Sequence, residues 1–255
     1  RSVSAFLLNR SSDLDRMKEV VVDGELNLSV EPTLLANASI TGTGVVDLAN
    51  VSLNVVNGNS TINGVEITGG AYGVNVGNNC TASMAGVTLN GNTNGGIYVH
   101  SNGTALLTNG ELYDNINLGD TESALVLHGH VKVHGKIFGN GIVTISEGTI
   151  IDFTGNSETH PISAGTGVDG DDAYVEVLGT GCTVIGSDGS TTWTVAAGKY
   201  WQLNNDDSIP TSSNAPYVYG YKHVCTRTMS GTTITNAVHT FTAIELTKFT
   251  YDSEN

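Results

Sequence analysis

The chain has 255 residues, room for one large domain or two modest ones, with a core that needs no disulfide or metal to hold it together. Charged residues make up only 14%, while Gly reaches 32 and Thr with Asn supply roughly a fifth of the chain, a mixture poor for helices and suited to short strands punctuated by turns. Ten Lys and Arg stand against 25 Asp and Glu, a formal net charge of −15, which disfavours nucleic acid and anionic membrane surfaces as partners.

In chain order, residues 1–24 differ from the rest and are expected to form an N-terminal cap. Ser12 to Glu19 has helix-like charge and spacing, with Ser12 as N-cap and Asp13 and Asp15 at the positive end. A strand at Glu19–Val22 follows, ended by Gly24. From residue 25 to 165 the chain reads as short strands between Gly and Asn turns: Leu26–Leu28, Ala38–Ile40, Val45–Leu48, Val51–Val56, Ala124–Val133, Ile142–Ile145 and Thr149–Phe153. No apolar run approaches the ~20 residues of a membrane span. The chain begins with Arg1 and is read as a processed form or a fragment. Of the three cysteines, Cys80 is isolated, and Cys182 with Cys225 leaves a bridge open, buried thiols being the favoured reading.

An internal repeat carries the fold assignment. Gly64-Val65-Glu66-Ile67-Thr68-Gly69 recurs as Gly86-Val87-Thr88-Leu89-Asn90-Gly91, 22 residues on, and in degraded form as Gly110-Glu111-Leu112-Tyr113-Asp114-Asn115, a further 24 on. A second element, Gly73-Val74-Asn75-Val76, matches Gly96-Ile97-Tyr98-Val99 at a displacement of 23. The one-residue drift is assigned to the turns at Asn78–Cys80 and His100–Gly103. A unit this short cannot bury its apolar face alone, whereas stacked copies share a continuous core and pair each strand with its copy above and below. The reading is an all-β parallel β-helix of roughly six rungs, a column of ~30 Å. Val74, Val76, Ile97 and Val99 are expected inside, Asn75 and Tyr98 outside. Thr68, Asn90 and Asp114 are expected in one outward column.

From residue 166 to 255 the texture changes to a C-terminal β region that caps or extends the solenoid. Strands are expected at Ala173–Leu178, Thr191–Ala196 and His239–Tyr251, and six of the eleven Trp and Tyr residues fall between Trp193 and Tyr221.

Gly95-Gly96-Ile97-Tyr98-Val99, then Gly103-Thr104-Ala105-Leu106-Leu107, then Asn109-Gly110-Glu111-Leu112-Tyr113-Asp114-Asn115 resembles the GGxYV…GTFTM…GGxIxxN repeats of bacterial surface β-helix proteins. Those include adhesin-like proteins and, more distantly, polymorphic outer-membrane proteins. Val131–Gly135 followed by Gly148–Phe153 is similar to the rungs that follow such repeats. The resemblance covers residues 60–155 and implies a right-handed parallel β-helix of the pectate-lyase-like superfold, exposed at a surface or secreted, and adhesion. Its motifs are corner residues, which report geometry shared by many functions. Pectate-lyase-like enzymes use an Arg to abstract a proton, with clustered Asp residues holding calcium; here Arg occurs only at 1, 10, 16 and 227. Polygalacturonase-like hydrolases carry an Asp pair, a further Asp, Gly-His-Gly and Arg-x-Lys in order. The nearest approach is His128-Gly129-His130, with Asp171-Asp172 on the wrong side of it.

Three candidate sites remain. His128, His130, Lys132 and His134, in the run from His128 to Lys136, concentrate positive charge; extended throughout, they share one face while Leu127, Val131 and Val133 point inward. They suit a metal pair at His128 and His130 or an acidic glycan, against the plainer reading of a solvated outer face. Asp169, Asp171 and Asp172, with Asp188 nearby, have ligand chemistry for calcium but match no complete metal motif, so an exposed acidic turn is favoured and no cofactor is expected. Trp193, Tyr200, Trp201, Tyr217, Tyr219 and Tyr221 suit sugar stacking, a protein interface, or cover for the open end of the solenoid. The sequence therefore points to a non-catalytic adhesin or surface-structural module, extracellular, on a cell surface or on a virion. Its expected partners are a host or bacterial surface glycan or protein, with a homo-oligomer or larger parent protein as further settings. The alternative is a carbohydrate-active β-helix: an atypical polysaccharide lyase, a glycoside hydrolase, or a phage spike or fibre.

Overall fold

The computed structural model describes residues 18–120, 122–146, 148–158, 161–164, 181–190, 192–194, 221–230 and 233–243. Three parallel sheets wrap a common core. The first stacks Glu19–Val22, Ser39–Gly42, Asn59–Asn63, Thr81–Ala85, Thr104–Thr108, Ala124–His128 and Ile142–Ile145. The second stacks Glu25–Asn27, Val45–Asp47, Glu66–Thr68, Thr88–Leu89, Glu111–Leu112, His130–Val133 and Ile150–Asp152, then continues through Thr183–Ile185 to Thr192–Thr194. The third stacks Thr33–Leu34, Leu53–Val55, Tyr72–Val76, Gly95–Val99, Ile116–Leu118, Ile137–Gly139 and Ile162–Ala164. Each circuit visits the three sheets in turn, so the chain winds a β-solenoid of about six turns. Among the described residues there is no helix, and none long and apolar enough to cross a membrane. The helix-like segment from Ser12 lies outside them up to Met17.

The core follows from strand alternation. Every second side chain points inward, and in-register stacking places it on its counterpart in the next turn. Val20, Ile40, Ile62, Met84, Leu107, Leu127 and Ile145 line the first sheet, and Leu26, Val46, Ile67, Leu89, Leu112 and Val133 the second, all buried. In the third sheet Val74, Val76, Ile97 and Val99 are wholly buried, while Asn75 and Tyr98 face out, as the alternation predicts. The Cys80 and Cys182 thiols are buried and donate to the carbonyls of Asn78 and Ser146. The Cys225 side chain lies outside the described residues, and with it the bridge to Cys182.

Corners set the register, and here the structure corrects the sequence reading. The turn from first to second sheet uses a left-handed residue at Gly64, Gly86, Asn109 and Gly129, with φ of 75, 61, 52 and 72°. Gly and Asn are the residues that adopt this region readily. Asn109, not Gly110, therefore stands beneath Gly86, and Thr88 pairs with Glu111 at a displacement of 23, not 24. Asn90 thus comes level with Tyr113, so Asp114 leaves the column expected for it. The extra residue also enters elsewhere than expected. Ile67 pairs with Leu89, 22 apart, but Val74 pairs with Ile97, 23 apart, and the displacement stays 23 through Val76–Val99 and Thr81–Thr104. The insertion lies between Leu89 and Ile97, where the buried Asn92 amide fills the turn. Its Oδ1 accepts from the Gly70 N–H at 3.0 Å, and its Nδ2 donates to the Ile67 carbonyl at 3.1 Å.

Beyond the main column, Thr183–Ile185 adds in parallel to Ile150–Asp152, and Thr192–Thr194 then pairs antiparallel. Tyr221–Ser230 and Thr233–Ala243 form a separate antiparallel ladder. The strand expected at His239–Tyr251 thus begins earlier, at Thr233, and is described to Ala243. The strand expected at Ala173–Leu178 lies outside the described residues.

Candidate functional site

The segment from His128 to Lys136 does not run as one extended strand. Gly129 turns the corner between sheets, so His128 ends a first-sheet strand while His130 and Lys132 stand on the second. Leu127, Val131 and Val133 are buried, as expected, but the four outward side chains do not share one face. The His128/His130 pair is split by the bend.

On the second sheet an outward column runs Val45, Glu66, Thr88, Glu111, Lys132, Asp152. Strands stacked about 4.8 Å apart bring successive side chains within bonding reach. Glu111 Oε1 accepts from Lys132 Nζ at 3.2 Å, from the Tyr113 hydroxyl at 2.9 Å and lies 3.0 Å from His134 Nε2. The rings of Tyr113 and His134 stack at 4.3 Å, 7° from parallel. His134, against the effect of burial and with help from Tyr113 and Lys132, holds the Glu111 carboxyl below the usual range. The hydrogen bond to Glu111 raises the Tyr113 phenol, and the Glu111 hydrogen bond raises the Lys132 ammonium against partial desolvation. One turn on, His130 Nε2 lies 3.4 Å from Asp152 Oδ2. Burial pushes the Asp152 carboxyl up, but hydrogen bonds from Thr154 and His130 together outweigh it, and the group lies below its ordinary value. Within the basic segment, Lys132 and His134 thus both meet Glu111 and His130 meets Asp152, acids on neighbouring turns.

The third sheet presents a different column: Thr33, Asn54, Asn75, Tyr98, Asn117, Phe138, with no charge in it. Asn54 Nδ2 donates to the Ser52 carbonyl at 3.3 Å, and Asn75 Nδ2 donates to Asn54 Oδ1 at 2.7 Å. Asn75 Oδ1 is then the acceptor left for His100, whose Nε2 lies 3.0 Å away and must donate. Tyr98 lies between Tyr72 and His100, with ring centroids 5.1 and 4.6 Å away. Burial, then the charge of Tyr98, raises the Tyr72 phenol. Sequence reading treated Tyr98 as an outward residue only and passed over Tyr72 and His100. The available signal was glycine on the adjoining turn: a Cβ at Gly119 would run into the Tyr98 ring and hydroxyl, and one at Gly95 would touch the Tyr72 ring.

Of the other candidates, Asp188 accepts the Ser190 N–H in an exposed turn at 2.9 Å. Asp169, Asp171 and Asp172 lie outside the described residues, as do Tyr200, Trp201, Tyr217 and Tyr219. Trp193 is described by its backbone, paired with Val184, and Tyr221 by its backbone, paired with Ala243. Among the described residues no group of three His, Cys, Asp or Glu side chains is arranged to hold a metal ion. Compared with models of known families, with curated proteins and with solved structures, the chain matches none of them.

Proposed function

We propose that this chain is a non-catalytic extracellular module, an adhesin or surface-structural solenoid that presents its outer faces to a surface glycan or protein. The observation that carries the reading is the state of the two best-placed carboxylates among the described residues. A hydrolase working through paired acids needs one of them protonated to serve the leaving oxygen. Glu111 and Asp152 stand two strand spacings apart in one outward column, about 9.5 Å along the backbone stack. Both are held below the ordinary range by their partners, so both are ionised at neutral pH. Lys132 stands between them and bonds Glu111, filling the space a reacting bond would need. The column is spent on internal pairing, which supports a scaffold that displays surface over one that does chemistry.

Composition supports the extracellular setting, since few Lys with many Asn, Thr and Gly suit an exposed β protein. The test is incubation of the full chain with a polysaccharide panel that includes uronates, with cell-surface retention measured in parallel. Retention without release of reducing ends or unsaturated sugars is expected. Release of either product overturns the reading in favour of a carbohydrate-active enzyme.

A further inference from the structure

We propose that the outer face of the third sheet, centred on Tyr98 with Tyr72, His100 and Asn75, is a binding site for a neutral saccharide chain. This deepens the surface-module reading and rests on it. Three observations converge on that ligand class.

The first is charge. The chain carries −15, yet the column from Thr33 to Phe138 contains no ionised carboxylate and no Lys or Arg. An acidic glycan meets the repulsion of the whole chain here with no Lys or Arg in the column to offset it, and a second copy of the chain meets the same repulsion. A neutral ligand does not.

The second is the seating of the rings. Gly119 leaves room for Tyr98 to lean across the neighbouring turn, where a larger side chain would run into its ring and hydroxyl, and Gly95 lies in van der Waals reach of the Tyr72 ring. Both rings stay partly exposed while packed against each other, so they are held without being covered. Aromatic surfaces held in this way take up the apolar C–H faces of sugar rings at little cost in side-chain ordering.

The third is polarity. The hydrogen bonds from Asn54 through Asn75 to His100 run in one direction, each amide orientation forced by the one before it. A saccharide needs both an apolar contact and oriented polar neighbours, and this face supplies the two side by side. An apolar partner surface would leave the amide row facing apolar atoms, at a cost in desolvation.

The test uses the full chain, with retention on immobilised neutral polysaccharides (a glucan, a mannan, a galactan and a xylan) against polygalacturonate and heparin. At least one neutral polymer should retain the chain, and the two acidic ones should not. Tyr98→Ala should lower that retention at least about tenfold, and Tyr98→Phe should keep most of it. Asn117→Arg, which places a charge on the outward position beside Tyr98 and outside the buried core, should lower it as well and covers the case in which Tyr98→Ala fails to fold. Retention by the acidic polymers alone, by none of the six, or equally by wild type and both the Tyr98→Ala and Asn117→Arg variants overturns the site. Neutral retention that ignores these substitutions leaves the surface-module reading standing, whereas sugar release sinks that reading whatever the substitutions do.

Discussion

Two outward columns on the same solenoid have the same depth and stand over the same kind of core, yet they differ in chemistry. On the second sheet, four of six positions from Val45 to Asp152 carry an acidic or basic side chain, and Lys132 stands between Glu111 and Asp152 on the turns either side. On the third, the six from Thr33 to Phe138 include no Asp, Glu, Lys, Arg or His, and the contacts are amides and rings. Beneath them, Leu112 and Ile97 are equally buried. The inward rows are bound by packing, whereas the outward rows need only avoid clashes across about 4.8 Å. The fold thus leaves each outer face free to acquire its own use.

The comparison breaks most visibly if the shared core is not shared. Leu112→Ala and Ile97→Ala should each destabilise by about 2–5 kcal/mol in chemical denaturation, through lost burial and a residual cavity. Outward Thr88→Ala should stay within about 0.5 kcal/mol. Similar costs inside and outside would mean the strand polarity is wrong. The corner between the two faces comes next. Asn92→Ala removes the partner of the buried Gly70 N–H and one of the two donors to the Ile67 carbonyl, which keeps the Asn90 N–H, and should cost about 1–3 kcal/mol, with faster hydrogen exchange at the Gly70 amide. Unchanged exchange there would remove the corner from the account.

Acid should then separate the faces. Glu111 and Asp152 have folded values below their unfolded ones, so their contribution is present above about pH 4 and is lost as pH falls through the folded values. A Glu111→Gln/Asp152→Asn double variant should flatten the acid limb of the stability profile, and Asn75→Ala on the third sheet should leave it unchanged. Alkali should not discriminate. Tyr72 on one face and Tyr113 and Lys132 on the other all have raised values, so their contributions are present below about pH 10 and fade above it. The smallest effect is salt. Near 1 M, where the Debye length is ~3 Å, the stability difference between wild type and Glu111→Gln should shrink by less than about 1 kcal/mol, with no change for Asn75→Ala.

The sequence by itself determined the parallel solenoid and its inward rows. Alternation is a local property of each strand, and a unit of about 22 residues cannot bury its apolar face except by stacking. It also determined that Asn75 and Tyr98 point outward. What only the tertiary structure decided is which outward side chains meet, since that depends on register, and register changes by one residue wherever a corner gains or loses one. Asn109 taking a left-handed position that Gly fills in the turns on either side moved Tyr113, not Asp114, level with Asn90. The extra residue enters at the Asn92 corner, which the repeat displacements of 22 and 23 bracket, and the structure shows the buried amide that fills it. A slip of one exchanges the inward and outward sets, so burial enforces a single register turn by turn. The pairing of Glu111 with Lys132 and His134, and the seating of Tyr98 over Gly119, follow from the summed corners and not from any short stretch of chain.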